Sequence, residues 1–195
     1  MSFPALSRRG RLLFGLAAGI VLTLGSTLVR PAMAEGDGSA SMAPDFTAEG
    51  LDGKTYTLSE LLKEGPVYLD FWTTWCKPCQ QALPKLDELH SKYEKAGFTL
   101  LTVASDDQKT IAKVKPHVKS RGWKFPVILD SKRELGNKFS VRAYPTSYLI
   151  GQDGKVVSMH QGYRPGDEKV LEEELLSLLP ADAVKAAMES EGGSH

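Results

Sequence analysis

Residues 69–80 read LDFWTTWCKPCQ and contain the two cysteines of the 195-residue chain, Cys76 and Cys79. The preceding residues 66–72 are apolar and strand-like, and residues 77–95 carry an apolar stripe with helical spacing. Cys76 is therefore expected at the junction of a buried strand and a helix. The free N–H groups and positive end of such a helix favour a thiolate, which lowers the pKa of a cysteine from about 8.5 toward about 7 or below.

Four interpretations of the cysteine pair compete. A structural disulfide across two residues closes a very small loop and removes little entropy from the unfolded chain. Reduced, inert cysteines are not expected in an oxidising compartment. A structural zinc ion needs about four ligands, and the four histidines are too scattered along the chain to complete a site with this pair. Redox exchange fits best, because Pro78 suits the first turn of a helix and Cys79 can attack a mixed disulfide formed on Cys76. Lys77 adds a positive charge that favours the Cys76 thiolate.

The first 34 residues have the features of an export signal. Three arginines precede the apolar run 12–29, and residues 32–34 (AMA) form an A-x-A cleavage site. The twin arginine Arg8-Arg9 leaves both the Sec and the Tat route open, since Arg11 departs from the Tat pattern. An uncleaved membrane anchor over residues 12–29 is the alternative, because this run is just long enough to cross a bilayer. Either form places the remainder on the far side of a membrane, and we expect the periplasm.

Charge and composition argue against nucleic acid as a partner. The chain has 24 basic and 24 acidic residues, and residues 1–34 contain four arginines and no acid. The remaining 20 basic and 24 acidic residues give a net charge of −4. We find no basic stripe of the kind that binds a phosphate backbone.

Strand and helix patterns alternate after a short linker at 35–43. We expect a hairpin turning at Asp52-Gly53 and a helical turn opening at Ser59, followed by strands over 66–72, 98–104, 125–129, 146–150 and 155–160. Helices are expected over 77–95, 107–121, 131–139 and 167–179, the last with inner-face residues Val170, Leu171, Leu175 and Leu178. This order predicts an α/β sandwich over residues 44–180, with a mixed sheet between helices. Residues 181–195 are expected to form a flexible tail.

Three motifs resemble those of thioredoxins. Residues 70–79 (DFWTTWCKPC) resemble the thioredoxin active-site motif, with both tryptophans and an acid six positions before the first cysteine. Residues 141–150 (VRAYPTSYLI) resemble the strand whose cis-proline faces the cysteines, which implies that role for Pro145. Pro84 matches the proline that bends the active-site helix. The motifs occur in the family's order and span about residues 66–165, which implies the three-layer thioredoxin fold.

One branch of the superfamily matches more of the chain. The export signal, the entry segment 43–62 and the long segment 105–143 resemble exported TlpA/ResA-like thioredoxins, with an inserted helix and strand before the cis-proline. The resemblance implies a protein-disulfide reductase with no cofactor beyond its Cys76–Cys79 pair. It also implies a membrane electron donor of the DsbD/CcdA type and disulfide-containing exported clients, with apocytochrome c as one candidate. Lys77 replaces the glycine or glutamate often found there, and some relatives lack an acid at Asp70.

The same resemblance gives roles to residues near the cysteines. Asp70, inside a buried strand, should have a raised pKa and accept the proton of Cys79, unless a lysine from the sheet pairs with it. Pro145 in the cis form would hold extended backbone beside Cys76, where a client strand can pair. Tyr144 would then contact the client, and Trp75 would cover the rim of the site. Trp72 is expected in the core.

Two other functions remain open. Thr73 stands three positions before Cys76, as in the T-x-x-C pattern of peroxiredoxins, but Leu69 occupies the position where that family has a proline. A copper-handling protein without enzymatic activity would use both cysteines and His160. The direction of electron flow is not decided by Lys-Pro between the cysteines, and the resemblance favours reduction.

Overall fold

The computed structural model describes residues 41–192, with side chains described as far as residue 189. Its strands are β1 Thr47–Glu49, β2 Thr55–Thr57, β3 Val67–Trp72, β4 Thr99–Ala104, β5 Val127–Leu129, β6 Thr146–Ile150 and β7 Val156–Gln161. Its α-helices are α1 Leu58–Glu64, α2 Lys77–Tyr93, α3 Val114–Arg121, α4 Glu134–Lys138, α5 Asp167–Leu176 and α6 Ala181–Gly192. Short 3-10 helices cover Glu94–Ala96 and Ile111–Lys113.

Five of the strands form one mixed sheet in the order β5-β4-β3-β6-β7, and β1 pairs with β2 in a separate hairpin. β3 and β5 run parallel to β4, whereas β6 runs antiparallel to both β3 and β7. α3 and β5 occupy the predicted insertion between β4 and the proline before β6. The predicted α/β sandwich with its mixed central sheet is confirmed.

β3 is the central strand and divides the core in two. All six of its residues are buried. Leu69 and Phe71 pack with α1 and the hairpin on one face, while Tyr68 and Trp72 pack with α2 and α5 on the other. Because side chains alternate along a strand, Asp70 shares the face of Tyr68 and Trp72. The central strand thus presents a carboxylate to the layer that contains the cysteines.

The helix expected over 107–121 begins later than predicted. The Asp107 carboxylate accepts hydrogen bonds from the N–H groups of Lys109 and Thr110, at 3.0 Å each, and so closes a turn. A 3-10 segment follows, and α3 starts only at Val114, with Pro116 in its first turn. The helical segment therefore opens as a turn capped by Asp107 and a 3-10 segment, and regular α-helix is reached only at Val114.

Two predictions for the C-terminal region are wrong. Residues 181–192, expected to belong to a flexible tail, form helix α6, whose Ala187 is buried in the core cluster that also contains Tyr93 and Ala96. Small alanines allow α6 to approach α2 closely, although it carries few large apolar side chains. Val170 was expected on the inner face of α5, but it is 51% exposed.

The predicted export signal over 1–34 lies outside the described residues, as does most of the 35–43 linker, so the placement of the 12–29 run stays a prediction. Among residues 41–192, no helix combines the length and apolar character needed to cross a bilayer.

Candidate active site

Cys76 and Cys79 form a disulfide at the start of α2, with an S–S distance of 2.03 Å. Cys76 is the N-cap residue, and its sulfur accepts a hydrogen bond from the Cys79 N–H at 3.2 Å. Lys77 and Pro78 follow in the first turn and are exposed. Cys76 is 5% exposed and Cys79 is fully buried. After reduction, the same N–H group and helix end would stabilise negative charge on the outer sulfur, Cys76.

The loop before Cys76 is held by an aspartate that the sequence reasoning did not identify. Asp106 is fully buried, and its carboxylate accepts hydrogen bonds from the Thr74 N–H at 2.8 Å and the Thr74 hydroxyl at 2.5 Å. It follows β4, which is parallel to β3, so both strands end at the same edge of the sheet. Polar residues directly after neighbouring parallel strands are the signal that would have placed Asp106 here.

Asp70 is buried on the face of β3 that packs against α2, and it forms no ion pair with any described residue. The Ser147 hydroxyl donates to one carboxylate oxygen at 2.6 Å, and the other oxygen has no hydrogen-bond partner there. Burial raises the pKa of Asp70 to about 7, and the Ser147 bond lowers it by less. The alternative prediction, a lysine paired with Asp70, is therefore not observed among the described residues. A carboxyl with a pKa near 7 can exchange a proton at neutral pH.

A cavity of about 280 Å³ lies beside Asp70. Its lining includes Asp70, Ser147, Pro145 and Ala82, which is one turn of α2 after Cys79. Asp70 therefore shares this cavity with α2 at Ala82, past the first turn of the active-site helix.

The predicted client-binding residues come together on one rim. The Tyr144–Pro145 peptide bond is cis, as the resemblance implied. Trp75 is 65% exposed, and its ring meets that of Tyr144 edge to face with centroids 6.0 Å apart. Trp72, by contrast, is fully buried, as predicted. The exposed Trp75 and the half-buried Tyr144 thus form an aromatic, partly apolar surface next to Cys76.

The inserted segment contacts the opposite flank of α2. A ring nitrogen of His117 lies 2.6 Å from the side-chain oxygen of Gln80, the residue after Cys79. Trp123 meets the ring of Trp72 edge to face at 5.7 Å. The insertion thus braces the active-site helix, a contact that the spacing of sequence motifs did not predict.

His160, the candidate copper ligand, forms side-chain contacts with Glu174 and Ser158. Its Nε2 lies 2.8 Å from a carboxylate oxygen of Glu174 and 3.1 Å from the hydroxyl of Ser158. Within the described part of the chain, we find no cluster of three or more histidine, cysteine or acidic side chains suited to a metal ion.

The sheet order, the cysteine pair at the head of α2 and the cis-proline before β6 define a thioredoxin-fold protein. The chain belongs to the AhpC/TSA family of the thioredoxin superfamily, whose sequence profile matches residues 40–159. Sequence relatives and solved structures define the class of thioredoxin-fold protein more narrowly.

The thiol-disulfide oxidoreductase ResA of Bacillus thuringiensis strain Al Hakam is 36% identical over 154 residues, which cover 77% of this chain and 87% of the relative. ResA of Bacillus subtilis strain 168 is 33% identical over 150 residues, with coverages of 76% and 82%. A crystal structure described as a candidate thiol:disulfide interchange protein DsbE from Chlorobium tepidum has a TM-score of 0.66 and 33% identity, covering 74% of this chain and 96% of that one. The exposed lipoprotein thioredoxin Etrx1 of Streptococcus pneumoniae gives a TM-score of 0.59 and 36% identity, with coverages of 69% and 100%. The protein is a thiol-disulfide oxidoreductase, as the sequence predicted.

Proposed function

We propose that this oxidoreductase works as a reductase of exported proteins in the periplasm and takes its electrons from a membrane donor. One observation carries the proposal. Cys76 caps α2, and its partner Cys79 lies in the layer above a buried acid, Asp70, whose pKa is about 7. Such an arrangement provides a nucleophile at the start of α2 and, on the face of the sheet that α2 covers, a proton acceptor for the resolving sulfur.

In the first step, the Cys76 thiolate attacks one sulfur of a client disulfide. A bond forms between Cys76 and that sulfur, the client S–S bond breaks, and the other client sulfur leaves as a thiolate that takes a proton from water. The Trp75–Tyr144 rim and the backbone before Pro145 would hold the client segment during this attack.

In the second step, Cys79 resolves the mixed disulfide. Its thiol gives a proton to the Asp70 carboxylate, and the new thiolate attacks the sulfur of Cys76. The bond between Cys76 and the client sulfur breaks, and that sulfur leaves as a thiolate that takes the proton held by Asp70. The client is then a dithiol and the enzyme a disulfide. Two electrons have passed from enzyme to client, which gained one proton from water in the first step and the Cys79 proton, through Asp70, in the second. A donor dithiol reverses the process and restores Cys76 and Cys79.

The donor and the client are proposed from sequence. The export features of residues 1–34 support a site of action beyond a membrane, where a donor of the DsbD/CcdA type would supply electrons. Exported proteins with oxidised cysteine pairs are the clients, and the haem-attachment pair of an apocytochrome c is a candidate among them.

Insulin reduction tests the reaction, with Cys76→Ser and Cys79→Ser compared with the wild type. We expect Cys76→Ser to lose turnover and Cys79→Ser to accumulate a mixed disulfide. The reduction potential of the pair tests direction, because 30 mV corresponds to about 1.4 kcal/mol for two electrons. A potential well above that of protein disulfide isomerase, about −180 mV, would make the protein an oxidant and contradict the proposal.

Thiol peroxidase activity is the second candidate, supported by the family match over residues 40–159 and by the Thr73–Cys76 spacing. Against it, Cys76 already has a partner three residues away, and the Thr73 hydroxyl makes no hydrogen bond in the described part of the structure. Peroxide consumption by the reduced protein separates the two functions: rapid, Cys76-dependent turnover would favour the peroxidase. Retention of one Cu(I) per chain after dialysis would instead favour copper handling.

A further inference from the structure

A polar recess lies beside the client-binding rim and is separate from the cysteine pair. Residues of α4 and of the loop leading to Pro145 line it, and its volume is about 490 Å³. We call it the arginine recess, lined by Arg133, Asn137, Ser140, Val141 and Arg142. Two arginines, an asparagine and a serine are among its lining residues, and none of these residues is acidic.

The two guanidinium groups are not neutralised within the described residues. Neither Arg133 nor Arg142 lies in an ion pair there, although eight such pairs occur elsewhere. The nearby buried acid, Asp130, forms no ion pair with either arginine, and its carboxylate accepts hydrogen bonds from the N–H groups of Leu135 and Gly136 at 3.3 and 2.8 Å. Charge at this recess is therefore available to a partner.

The recess is built into the fold and joined to the rim. Arg133 donates to the Val141 carbonyl at 2.8 Å, and its guanidinium carbon lies 5.8 Å from the centre of the Tyr144 ring. Tyr144 in turn meets Trp75. Arg133 and Ser140 both adopt left-handed backbone, with φ of 59° and 55°, which side chains with a Cβ seldom adopt. Strained backbone of this kind tends to occur at functional sites.

We propose that the arginine recess binds a carboxylate side chain of the client, located beside the client's disulfide. Guanidinium groups recognise carboxylates through charge-assisted, often bidentate hydrogen bonds. A client strand laid along the backbone before Pro145 would pass Arg142, three residues upstream. The enzyme therefore prefers disulfides flanked by aspartate or glutamate. This preference rests on the proposed reductase function.

Peptides with one disulfide, acetylated and amidated at their ends, test the proposal. Each peptide is prepared with aspartate before the disulfide, aspartate after it, or asparagine at both places. We expect kcat/KM to be roughly fivefold higher for one of the acidic peptides, as for an exposed ion pair. The preference should shrink between about 20 mM and about 300 mM salt, because screening weakens exposed charge pairs. An asparagine peptide with a free C-terminal carboxylate shows whether a chain end can replace the side chain.

Arg142→Gln should reduce the ratio of acidic to neutral kcat/KM to about one, and Arg133→Gln should act in the same direction. Taking the ratio within each variant removes any general loss of activity or stability. Lys132→Gln is the matched control, because this exposed lysine adjoins Arg133 without lining the recess, and it should keep the ratio. A wild-type ratio near one, a ratio retained in Arg142→Gln, or equal loss in Lys132→Gln would overturn the proposal. Reduction of the asparagine peptide, whatever the ratio, would show that the protein is a reductase even if the recess does not bind a carboxylate.

Discussion

The hydroxyl of Ser147 donates a 2.6 Å hydrogen bond to the carboxylate of Asp70, across the antiparallel pair of β3 and β6 in which the two residues are direct partners. It is the one hydrogen bond that the carboxylate accepts within the described residues. A buried carboxylate normally needs several donors or a cation to stay charged at neutral pH. The pair therefore leaves Asp70 balanced between its two protonation states, which suits a group that takes up and releases a proton.

Asp70→Asn should slow the resolution of the mixed disulfide at neutral pH. Asparagine keeps the shape but cannot accept the Cys79 proton, and loss of a general base typically costs about 10²-fold or more. Stopped-flow measurement of client release between pH 5 and 9 should show that the inflection near pH 7 disappears. Asp107→Asn, on an exposed turn, serves as the control, and an unchanged profile in Asp70→Asn would remove Asp70 from the mechanism.

The same substitution should change how stability depends on pH. The pKa of Asp70 is raised from 3.8 to about 7, so the folded protein holds this proton over a range where the unfolded chain has released it. Stability from this group is therefore present at about pH 4 and is lost as the pH rises toward 7. Asp70→Asn should match the wild type near pH 4 and exceed its free energy of unfolding by a few kcal/mol above pH 7. Denaturant unfolding at both pH values measures this, and an equal difference at the two pH values would contradict it.

Ser147→Ala should move the kinetic inflection to higher pH. The Ser147 bond lowers the pKa of Asp70, so its loss leaves burial unopposed and raises that pKa above about 7. The alkaline shift of the rate profile is the readout that a purely structural role would not give. Ser158→Ala removes a hydroxyl on β7 that donates to Glu174 of α5, and it should leave the inflection in place. A shift toward acid in Ser147→Ala would show that the bond does not favour the charged form.

Asp106→Ala should impair the active-site loop more than it impairs the fold. The part-buried N–H and hydroxyl of Thr74 would lose their acceptor, at a cost of about 1 kcal/mol. We expect kcat/KM for insulin to fall about tenfold, since small displacements of a nucleophile are costly. Asp107→Ala removes hydrogen bonds from the adjacent exposed turn and should leave kcat/KM nearly unchanged. Equal losses in the two variants would show that Asp106 has no special effect on the site.

The residues of the site were more predictable from the sequence than the residues that hold them in place. Cys76, Cys79, Asp70 and Pro145 occur in short motifs. Local rules of strand and helix placement put the cysteines at the start of α2 and Asp70 within β3, and the resemblance to thioredoxins supplied the role of Pro145. The bond from Ser147 to Asp70 joins residues 77 positions apart, and it depends on the register of β6 against β3. Alternation along a strand shows which residues share a face, but not which residue of the neighbouring strand stands opposite.

The C-terminal helix shows a second limit. Residues 181–192 read ADAVKAAMESEG, with several alanines and few large apolar residues, which resembles a tail more than an amphipathic helix. The burial of Ala187 depends on a site near Ala96 that the rest of the fold creates. Packing of small side chains leaves a weak periodic signal, and sequence patterns alone therefore miss it.

The ionisation of Cys76 tests the central claim most directly. In Cys79→Ser, the remaining thiol should react with iodoacetamide along a titration curve with a midpoint near pH 7 or below, since the end of α2 stabilises its thiolate. The same measurement after unfolding in guanidinium chloride should return the midpoint to about 8.5. A midpoint above about pH 9 in the folded protein, or a thiol that does not react until the chain unfolds, would contradict the assignment of Cys76 as the attacking nucleophile.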